Sequence, residues 1–177
     1  VTETVTITIT GTNDTPVIRN GSDTAALTET NSTITATDTM TVTDIDLTDT
    51  VTATVSSVTI GGTYAGTVPT TLTATSNAAL KSMLALTNAS AMAATPTSGS
   101  NYTWTFTSGT SGTNAFEFLA KDETLILTYT ITATDNSGAV SGESPTTTST
   151  VTVTNTGTNE THDITDVDVK GGLTEDA

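Results

Sequence analysis

Acidic and amide side chains stand at three places in the chain where a strand pattern ends, and their oxygens could bind a metal ion. The chain has no Cys and a single His, so these groups match zinc poorly. Ca²⁺ is a hard cation that takes roughly six to eight oxygen ligands from carboxylates, amide and backbone carbonyls and water. The three groups are Asn13 with Asp14, then Asp44, Asp46 and Asp49, and finally Asp135 with Asn136.

The order of the predicted strands brings these three groups to one end of the fold, which we call the near pole. A first strand within residues 16–29 runs away from the first group. A strand over 37–43 returns and delivers the second group, and a strand over 124–134 returns and delivers the third. Ca²⁺ bound here would neutralise the carboxylates and stiffen the linker that contains the first group.

A second set of oxygen ligands is expected at the opposite end, which we call the far pole. The first strand ends there, the strand over 124–134 begins there, and a second linker leaves from there. The set comprises Glu29, Asp122, Glu123, Asn159, Glu160, Asp166 and Asp168.

Turn formation is the ordinary explanation for any one of these residues, because Asp and Asn commonly end strands. The spacing also matches no standard calcium loop. An EF-hand that began at Asp44 would need Gly where Asp49 stands and Glu where Val55 stands. The glycine-rich nonapeptides of calcium β-rolls are missing from the sequence. The convergence of three groups beside one linker nevertheless favours a Ca²⁺ site.

The charge balance narrows the choice of partners. Acidic residues outnumber basic ones 19 to 4, which gives a formal net charge of −15. Nucleic acids and anionic membranes are recognised by clustered Lys and Arg, so we expect neither as a partner. A charge of this size repels itself in the compact state unless cations neutralise it. A soluble, non-adhesive surface is the alternative explanation.

Catalytic chemistry has little support in the sequence. His162 is the only His, and no Gly-x-Ser-x-Gly motif accompanies it. Paired carboxylates can hydrolyse glycosides, but only 4% of residues are aromatic, too few to line a typical sugar cleft. We therefore predict that the chain is not an enzyme and has no catalytic residues.

A repeated peptide indicates that the chain is one unit of a tandem array. Residues 4–15 recur, with few changes, as residues 150–161, and Leu27-Thr28-Glu29 recurs at the same offset as Leu173-Thr174-Glu175. Such arrays build length or present a repeated surface, which favours a structural role. We expect residues 1–12 to be the final strand of a preceding unit, 13–159 one complete unit, and 160–177 the start of the next.

Alternation of Thr with apolar residues predicts the fold class. Period two places apolar side chains on one face of each strand and Thr on the other, as in antiparallel sheets with one buried face. Many such segments, separated by Gly and Asn turns, predict an all-β antiparallel sandwich. Residues 76–86 have apolar residues near helical spacing and predict one short helix. A disordered, mucin-like stalk is the alternative for a Thr-rich chain.

Several segments resemble the VCBS repeats of very large bacterial surface proteins, including RTX adhesins. Residues 116–125 (Phe-Glu-Phe-Leu-Ala-Lys-Asp-Glu-Thr-Leu) are similar to that family's most characteristic stretch. The junction of the repeats, the second strand, the central strand and the penultimate strand are similar to residues 4–18, 41–46, 102–106 and 127–136. One departure is the second linker, which reads Asn159-Glu160-Thr161-His162 where the first has Asn13-Asp14-Thr15-Pro16.

The resemblance implies an Ig-like or cadherin-like sandwich, type I export to the bacterial cell surface, and Ca²⁺ at the junctions of neighbouring repeats. It implies that the chain is an extender repeat, which projects a distal ligand-binding region of an adhesin for adhesion and biofilm formation. The alternatives are a module that binds a glycan or protein through loops at 61–69 or 98–114, and homotypic adhesion between arrays. Residues 1–12 would be a free tail or would pair with the sheet edge of a neighbouring molecule.

Overall fold

Period-two alternation forms two β-sheets that enclose a common core. The computed structural model describes residues 1–64, 78–110, 116–137 and 144–159. The described strands are β1 (Val17–Ile18), β2 (Asp23–Thr28), β3 (Thr35–Thr43), β4 (Thr50–Gly62), β5 (Leu84–Thr87), β6 (Met92–Ala93), β7 (Ser100–Thr107), β8 (Thr124–Asp135) and β9 (Thr146–Thr156), and the described helix is α1 (Ala78–Ser82). The prediction of an all-β sandwich with one short helix is confirmed.

The strands divide into a sheet of four and a sheet of five within the described residues. The first sheet has the order β1-β3-β7-β5 and the second has the order β2-β9-β8-β4-β6. All of the described pairs are antiparallel except β2 with β9, which are parallel. The predicted antiparallel sandwich therefore contains one parallel pair, which the sequence did not indicate.

The parallel pair arises because the predicted first strand is broken in two. A turn at Asn20 and Gly21, where Gly21 has a φ of 63°, separates β1 from β2. Before the turn the chain pairs with β3 in one sheet, and after it the chain crosses to the other sheet. There it lies beside β9, which runs in the same direction from the near pole to the far pole.

The core between the sheets is built on large aromatic side chains. Tyr102, Trp104, Phe106, Phe116 and Tyr129 are all at most 1% exposed. The ring centroids of Phe106 lie 6.4 Å from Phe116 and 6.3 Å from Tyr129. Burial raises the pKa of Tyr102 to about 12. These rings replace the disulfide or metal that smaller domains need for stability.

The predicted helix is shorter in the structure than in the sequence prediction. Helix α1 covers Ala78–Ser82, and residues 76 and 77 lie outside the described residues. Leu84 and Leu86 belong to β5, where they pair with Phe106 and Trp104 of β7. The two leucines fit both a helical and a strand spacing, and pairing with the aromatic strand decides for the strand.

Residues 1–12 adopt no secondary structure and form no strand pair with the described part of the chain. Val5, Ile7 and Ile9 are 82%, 81% and 91% exposed. The alternation of this segment is that of a strand, but the described residues provide no sheet for it. Residues 160–177, the predicted start of a following unit, lie outside the described residues.

Candidate metal centre at the near pole

The strand register brings the three predicted groups of the near pole together. Val17 pairs with Thr43 at the end of β3, and Val51 pairs with Asp135 at the end of β8. Asp44 directly follows β3, so it arrives at the same end as Asp135. The predicted convergence is confirmed for the second and third groups, and the linker contacts below extend it to the first.

Asp44 is the most unusual of these residues because its carboxylate is buried. The residue is 3% exposed, and its Oδ1 accepts a hydrogen bond from the backbone N–H of Asp46 at 3.0 Å. Its Oδ2 has no hydrogen-bond partner among the described residues. A buried carboxylate oxygen without a partner is costly, because it has lost water without gaining a protein ligand.

The pKa of Asp44 lies above its ordinary value of 3.8. Burial of the carboxyl is the largest cause, and the N–H bond from Asp46 opposes it. The negative charges of Asp46, Asp135 and Asp49 raise the pKa of Asp44 further. A cation bound between the carboxylates would offset both the burial of the charge and the repulsion from its neighbours.

Asp46 connects this acidic loop to the linker. The backbone N–H of Asp14 donates a hydrogen bond to Oδ2 of Asp46 at 2.6 Å. The side-chain hydroxyl of Thr15 donates to the backbone carbonyl of Ser144 at 2.7 Å. The linker is thus fastened to two loops of the near pole by hydrogen bonds that do not involve the Asp14 side chain.

Asn13 and Asp135 meet in the buried part of the near pole. Nδ2 of Asn13 donates to Oδ2 of Asp135 at 3.3 Å, and the two residues are 8% and 4% exposed. Ser137 was not predicted from the sequence, but it donates to Oδ1 of Asp135 through both its N–H, at 3.0 Å, and its Oγ, at 2.6 Å. Oγ of Ser137 also contacts Oδ1 of Asn13. Its position two residues after a strand-ending Asp is the signal that could have identified it.

Asp49 and Asn136 have simpler places in the same region. Asp49 is half-buried, and its backbone forms hydrogen bonds with Asp46 and Ala94. Asn136 is exposed, and its Oδ1 accepts a hydrogen bond from the N–H of Thr50 at 2.8 Å. Both residues therefore help to shape the loops, and Asp49 adds charge close to Asp44.

The near pole, as far as the structure describes it, offers oxygen atoms of the kinds that a hard cation takes, but they do not form a complete set of carboxylate ligands. The described residues contain no group of three or more Asp, Glu, His or Cys side chains that could hold a metal ion. Among the described residues of this pole, Oδ2 of Asp44 is the one buried carboxylate oxygen without a partner. The charges of Asp46 and Asp135 lie close to it. Carboxylates of these residues, with amide, backbone or water oxygens, have the chemistry that Ca²⁺ takes.

An open groove of about 700 Å³ adjoins Asp44 on the outside of the near pole. Its lining comprises Asp14, Thr15, Val17, Ile18, Arg19, Thr43, Asp44, Ile45 and Pro96. The guanidinium of Arg19 spans the groove, with hydrogen bonds to Oγ1 of Thr43 at 3.4 Å and to the carbonyl of Pro96 at 3.2 Å.

The far pole is organised around packing and one buried carboxylate. Glu29 is 0% exposed, and its Oε2 accepts hydrogen bonds from the N–H of Thr158 at 3.1 Å and from its hydroxyl at 2.9 Å. Oε1 of Glu29 has no partner among the described residues. Gly157 lies so close to residues 119–120 that an added Cβ would stand 2.3 Å from the carbonyl oxygen of Ala120.

The other predicted ligands of the far pole are dispersed. Glu123 closes its own turn by accepting a hydrogen bond from the N–H of Ala120 at 3.0 Å. Asp122 is exposed, has a left-handed φ of 67°, and forms an exposed ion pair with Lys121 at 3.6 Å. Asn159 is exposed. Glu160, Asp166 and Asp168 lie outside the described residues, so the predicted far-pole metal site stays a prediction.

Asn155 is a buried polar residue that the sequence analysis missed. It is 0% exposed, and neither Oδ1 nor Nδ2 has a partner among the described residues. It pairs with Leu27 of β2 and Leu125 of β8, at a position where period two predicts an apolar residue. The earlier copy of the peptide has Ile9 at this position, and that difference was the available signal.

The aromatic residues in the loops considered for ligand binding face the core where they are described. Tyr102 and Trp104 are buried, and Tyr64 packs against Phe118 with ring centroids 5.0 Å apart. Parts of both loops, residues 65–69 and 111–114, lie outside the described residues. His162 lies outside them too, and the prediction of a non-enzymatic chain stays a prediction.

Comparison with known proteins gives no family assignment. In the described part of the chain, no helix is long and apolar enough to cross a membrane. The resemblance to VCBS repeats stays a prediction, because no protein-family model and no curated protein matches the chain.

Proposed function

We propose that this chain is a β-sandwich spacer unit of an extracellular tandem array, stiffened by Ca²⁺ at the near pole. The observation that carries the proposal is the buried Asp44, whose Oδ2 lacks a partner among the described residues while three further carboxylates raise its pKa. A bound cation offsets both the lost hydration and the repulsion between the acids.

The contacts of the linker explain how an ion at this place affects stiffness. Asp14 is tied to Asp46 through its backbone N–H, and Asn13 is tied to Asp135 through its side chain. Repulsion among the carboxylates strains these ties, because the same carboxylates accept the hydrogen bonds. Ca²⁺ removes the repulsion and fixes the direction in which the linker leaves the sandwich.

The array is inferred from the repeated peptide and from the resemblance to VCBS repeats. Under this proposal the unit extends a bacterial surface adhesin, exported by type I secretion, and holds a distal ligand-binding region away from the cell for adhesion and biofilm formation. The net charge of −15 supports a spacer, because a charge far from zero keeps an extended array soluble. Affinity for Ca²⁺ is expected near roughly 10⁻⁴ to 10⁻³ M, as in extracellular modules.

Thermal unfolding in Ca²⁺, in Mg²⁺ and in chelator tests the proposal. We expect Ca²⁺ to raise Tm by several degrees at about 100 times Kd, since binding to the folded state then contributes about 2.7 kcal/mol. Mg²⁺ should have a much smaller effect, because it requires a stricter geometry. Equal Tm values in all three conditions would contradict a specific site.

A double substitution, Asp44→Ala with Asp46→Ala, should remove the Ca²⁺ effect while the sandwich stays folded. The matched control is Glu3→Ala with Asp38→Ala, which removes two exposed acids and the same amount of charge. If both double variants lose the Ca²⁺ effect equally, general charge screening explains it and the site does not exist.

Hydrogen exchange at a single amide tests the stiffening itself. The N–H of Asp14 donates to Asp46, so its exchange should slow in Ca²⁺ relative to chelator. Exchange in the middle of β8 should change only as much as global stability does. Unchanged exchange at Asp14, despite a raised Tm, would leave Ca²⁺ binding intact but contradict its role in the linker.

A further inference from the structure

The exposed segment 4–12 has the sequence of an internal strand. It is identical to residues 150–158 except that Ile7 stands in place of Val153 and Ile9 in place of Asn155, and residues 150–158 contain most of β9. In β9, Val151 and Val153 are 0% exposed, whereas the equivalent Val5 and Ile7 are 82% and 81% exposed. The segment therefore carries the apolar face of β9 without a sheet to cover it.

The segment also keeps the special requirements of the place that β9 occupies. Gly157 cannot carry a Cβ, which would stand 2.3 Å from the carbonyl oxygen of Ala120, and the equivalent residue is Gly11. Thr158 donates its hydroxyl to Glu29 at 2.9 Å, and the equivalent residue is Thr12. Both features make the segment a competent substitute for β9 between β2 and β8.

One position differs in a way that favours the substitute. Asn155 is 0% exposed with both polar atoms unpartnered among the described residues, and its equivalent Ile9 is 91% exposed. A polar side chain is thus buried without partners while an apolar one is in water, and both placements are unfavourable. Replacing β9 by the segment corrects both at once.

The segment cannot reach this place in its own sheet. Thr15 is held at the near pole by its hydrogen bond to Ser144, and Thr12 would have to lie at the far pole in the place of Thr158. The intervening strand β9 has 11 residues and spans about 36 Å at the usual rise. The three residues from Thr12 to Thr15 reach only about 11 Å. Another molecule or unit must supply the sheet.

We propose that, wherever no preceding unit covers it, segment 4–12 inserts into a second copy of this chain, between its β2 and β8, and displaces its β9. Reciprocal exchange gives a strand-swapped dimer. Each exchange buries Val5, Ile7 and Ile9 and releases Val151 and Val153, so fewer large apolar side chains remain in water. β9 is tethered to its own sheet, where its effective concentration is about millimolar. The segment of another molecule can therefore displace β9 only when concentrated protein is refolded.

Refolding from denaturant at high and at low protein concentration tests the proposal, with size-exclusion chromatography and light scattering as the readout. We expect a dimer after refolding at high concentration and a monomer at low concentration. Monomer under every condition would overturn the proposal. The test does not involve Ca²⁺ and is run in chelator, so its failure leaves the proposed function untouched.

Two opposite substitutions, one in each copy of the peptide, should have the same effect. Ile9→Asn removes the apolar side chain that favours the incoming segment. Asn155→Ile places the same apolar side chain in β9, which it should help to keep in place. Both variants should therefore lower the dimer fraction at least about fivefold. The control is Thr8→Asn, on the outer face of the segment, which should leave the fraction within about twofold. If Asn155→Ile raises the dimer fraction, β9 is not the displaced strand and the proposal is wrong.

A disulfide in the chain, which has no native Cys, tests the register. Thr154 pairs with Ile126 of β8, so the equivalent Thr8 of one copy should lie beside Ile126 of the other. The variant Thr8→Cys with Ile126→Cys should form a covalent dimer on oxidation. In the control, Thr8→Cys is combined with Thr59→Cys on β4, one strand further from β9. Equal cross-linking of both variants would overturn the insertion in favour of unspecific contact.

Discussion

The two poles of the sandwich solve the burial of charge in different ways. At the near pole, Asp44 is buried among other carboxylates, and its pKa is raised by burial and by their charges. At the far pole, Glu29 is buried more completely, and Thr158 donates two hydrogen bonds to its Oε2. Oε1 of Glu29 lacks a partner among the described residues, as Oδ2 of Asp44 does, so the poles differ in their donors and in the number of neighbouring charges. The near pole accumulates negative charge, and the far pole pairs a single charge with donors and close packing.

The difference indicates which pole responds to ions and which supports the fold. A cluster of carboxylates around an unpartnered oxygen loses free energy unless a cation is present. A single carboxylate with two donors has no neighbouring charge that a cation would need to neutralise. We therefore expect substitutions at the far pole to change stability in all conditions, and substitutions at the near pole to act according to the ions present.

The largest effect is expected from Gly157→Ala at the far pole. The new Cβ would stand 2.3 Å from the carbonyl oxygen of Ala120 and 2.6 Å from Cβ of Leu119, so the loop or β9 must shift. We expect a loss of about 2–3 kcal/mol in the free energy of unfolding by urea, with or without Ca²⁺.

The matched control is Gly11→Ala, in the other copy of the same peptide. No described atom lies within 4 Å of a Cβ added there. The monomer should therefore keep its stability within about 0.5 kcal/mol. If both variants lost the same free energy of unfolding, the close packing around Gly157 would not be the cause of the loss.

A smaller effect of opposite sign is expected from Asn155→Ile. The substitution removes two buried polar atoms that have no partner among the described residues and adds apolar surface between Leu27 and Leu125. We expect a gain of about 1–2 kcal/mol in monomer stability by urea unfolding. A loss would mean that Asn155 is satisfied by bound water or an ion, and the far pole would then resemble the near pole.

The architecture of both poles follows from features that are visible in the sequence. Strict alternation determines which residues of β8 and β9 face the core, and the order of strands places Asp44 and Asp135 together. Ser137 was not predicted because serine is common in turns, and its place two residues after Asp135 becomes informative only once that Asp is known to be buried. Asn155 was not predicted because a polar residue there hides a position that period two assigns to the core, and only the comparison with Ile9 in the other copy of the peptide reveals it.

Errors in the prediction arose where two patterns compete over a few residues. Leu84 is at helical spacing from Leu80, and Leu86 is at helical spacing from Met83. The two leucines also have strand spacing between themselves, and pairing with β7 decided for the strand. The break between β1 and β2 depends on whether the chain changes sheets after Gly21, which local sequence does not determine. In both cases the free energy of long-range strand pairing decides which structure forms.

At the near pole, Asp44→Asn should change the stability of the protein in opposite directions in chelator and in Ca²⁺. In chelator, the substitution removes a charge whose burial and neighbours are unfavourable, so we expect a gain of about 1 kcal/mol in the free energy of unfolding. In saturating Ca²⁺ the same variant should be less stable than the unsubstituted chain, because it has lost a charged ligand. The control Asp38→Asn, at an exposed acid, should change little in either solution. The same sign in both solutions would remove Asp44 from the metal site.

The smallest effect is a pH dependence that distinguishes the poles without any change in the ions. The pKa of Asp44 is raised in the folded state, so the folded protein takes up its proton at a higher pH than the unfolded chain does. In chelator, this residue therefore adds stability as the pH falls through its folded-state pKa towards its ordinary value of 3.8, and it subtracts stability above that range.

All acidic residues contribute to the slope of the free energy of unfolding against pH, because they share the general repulsion. The contribution of Asp44 is the difference between this slope and that of the variant Asp44→Asn. Urea unfolding of both proteins from neutral pH down to about pH 4 should show the unsubstituted chain gaining stability relative to Asp44→Asn. Parallel curves would mean that the carboxylate is well solvated, and the near pole would then be an ordinary set of turns.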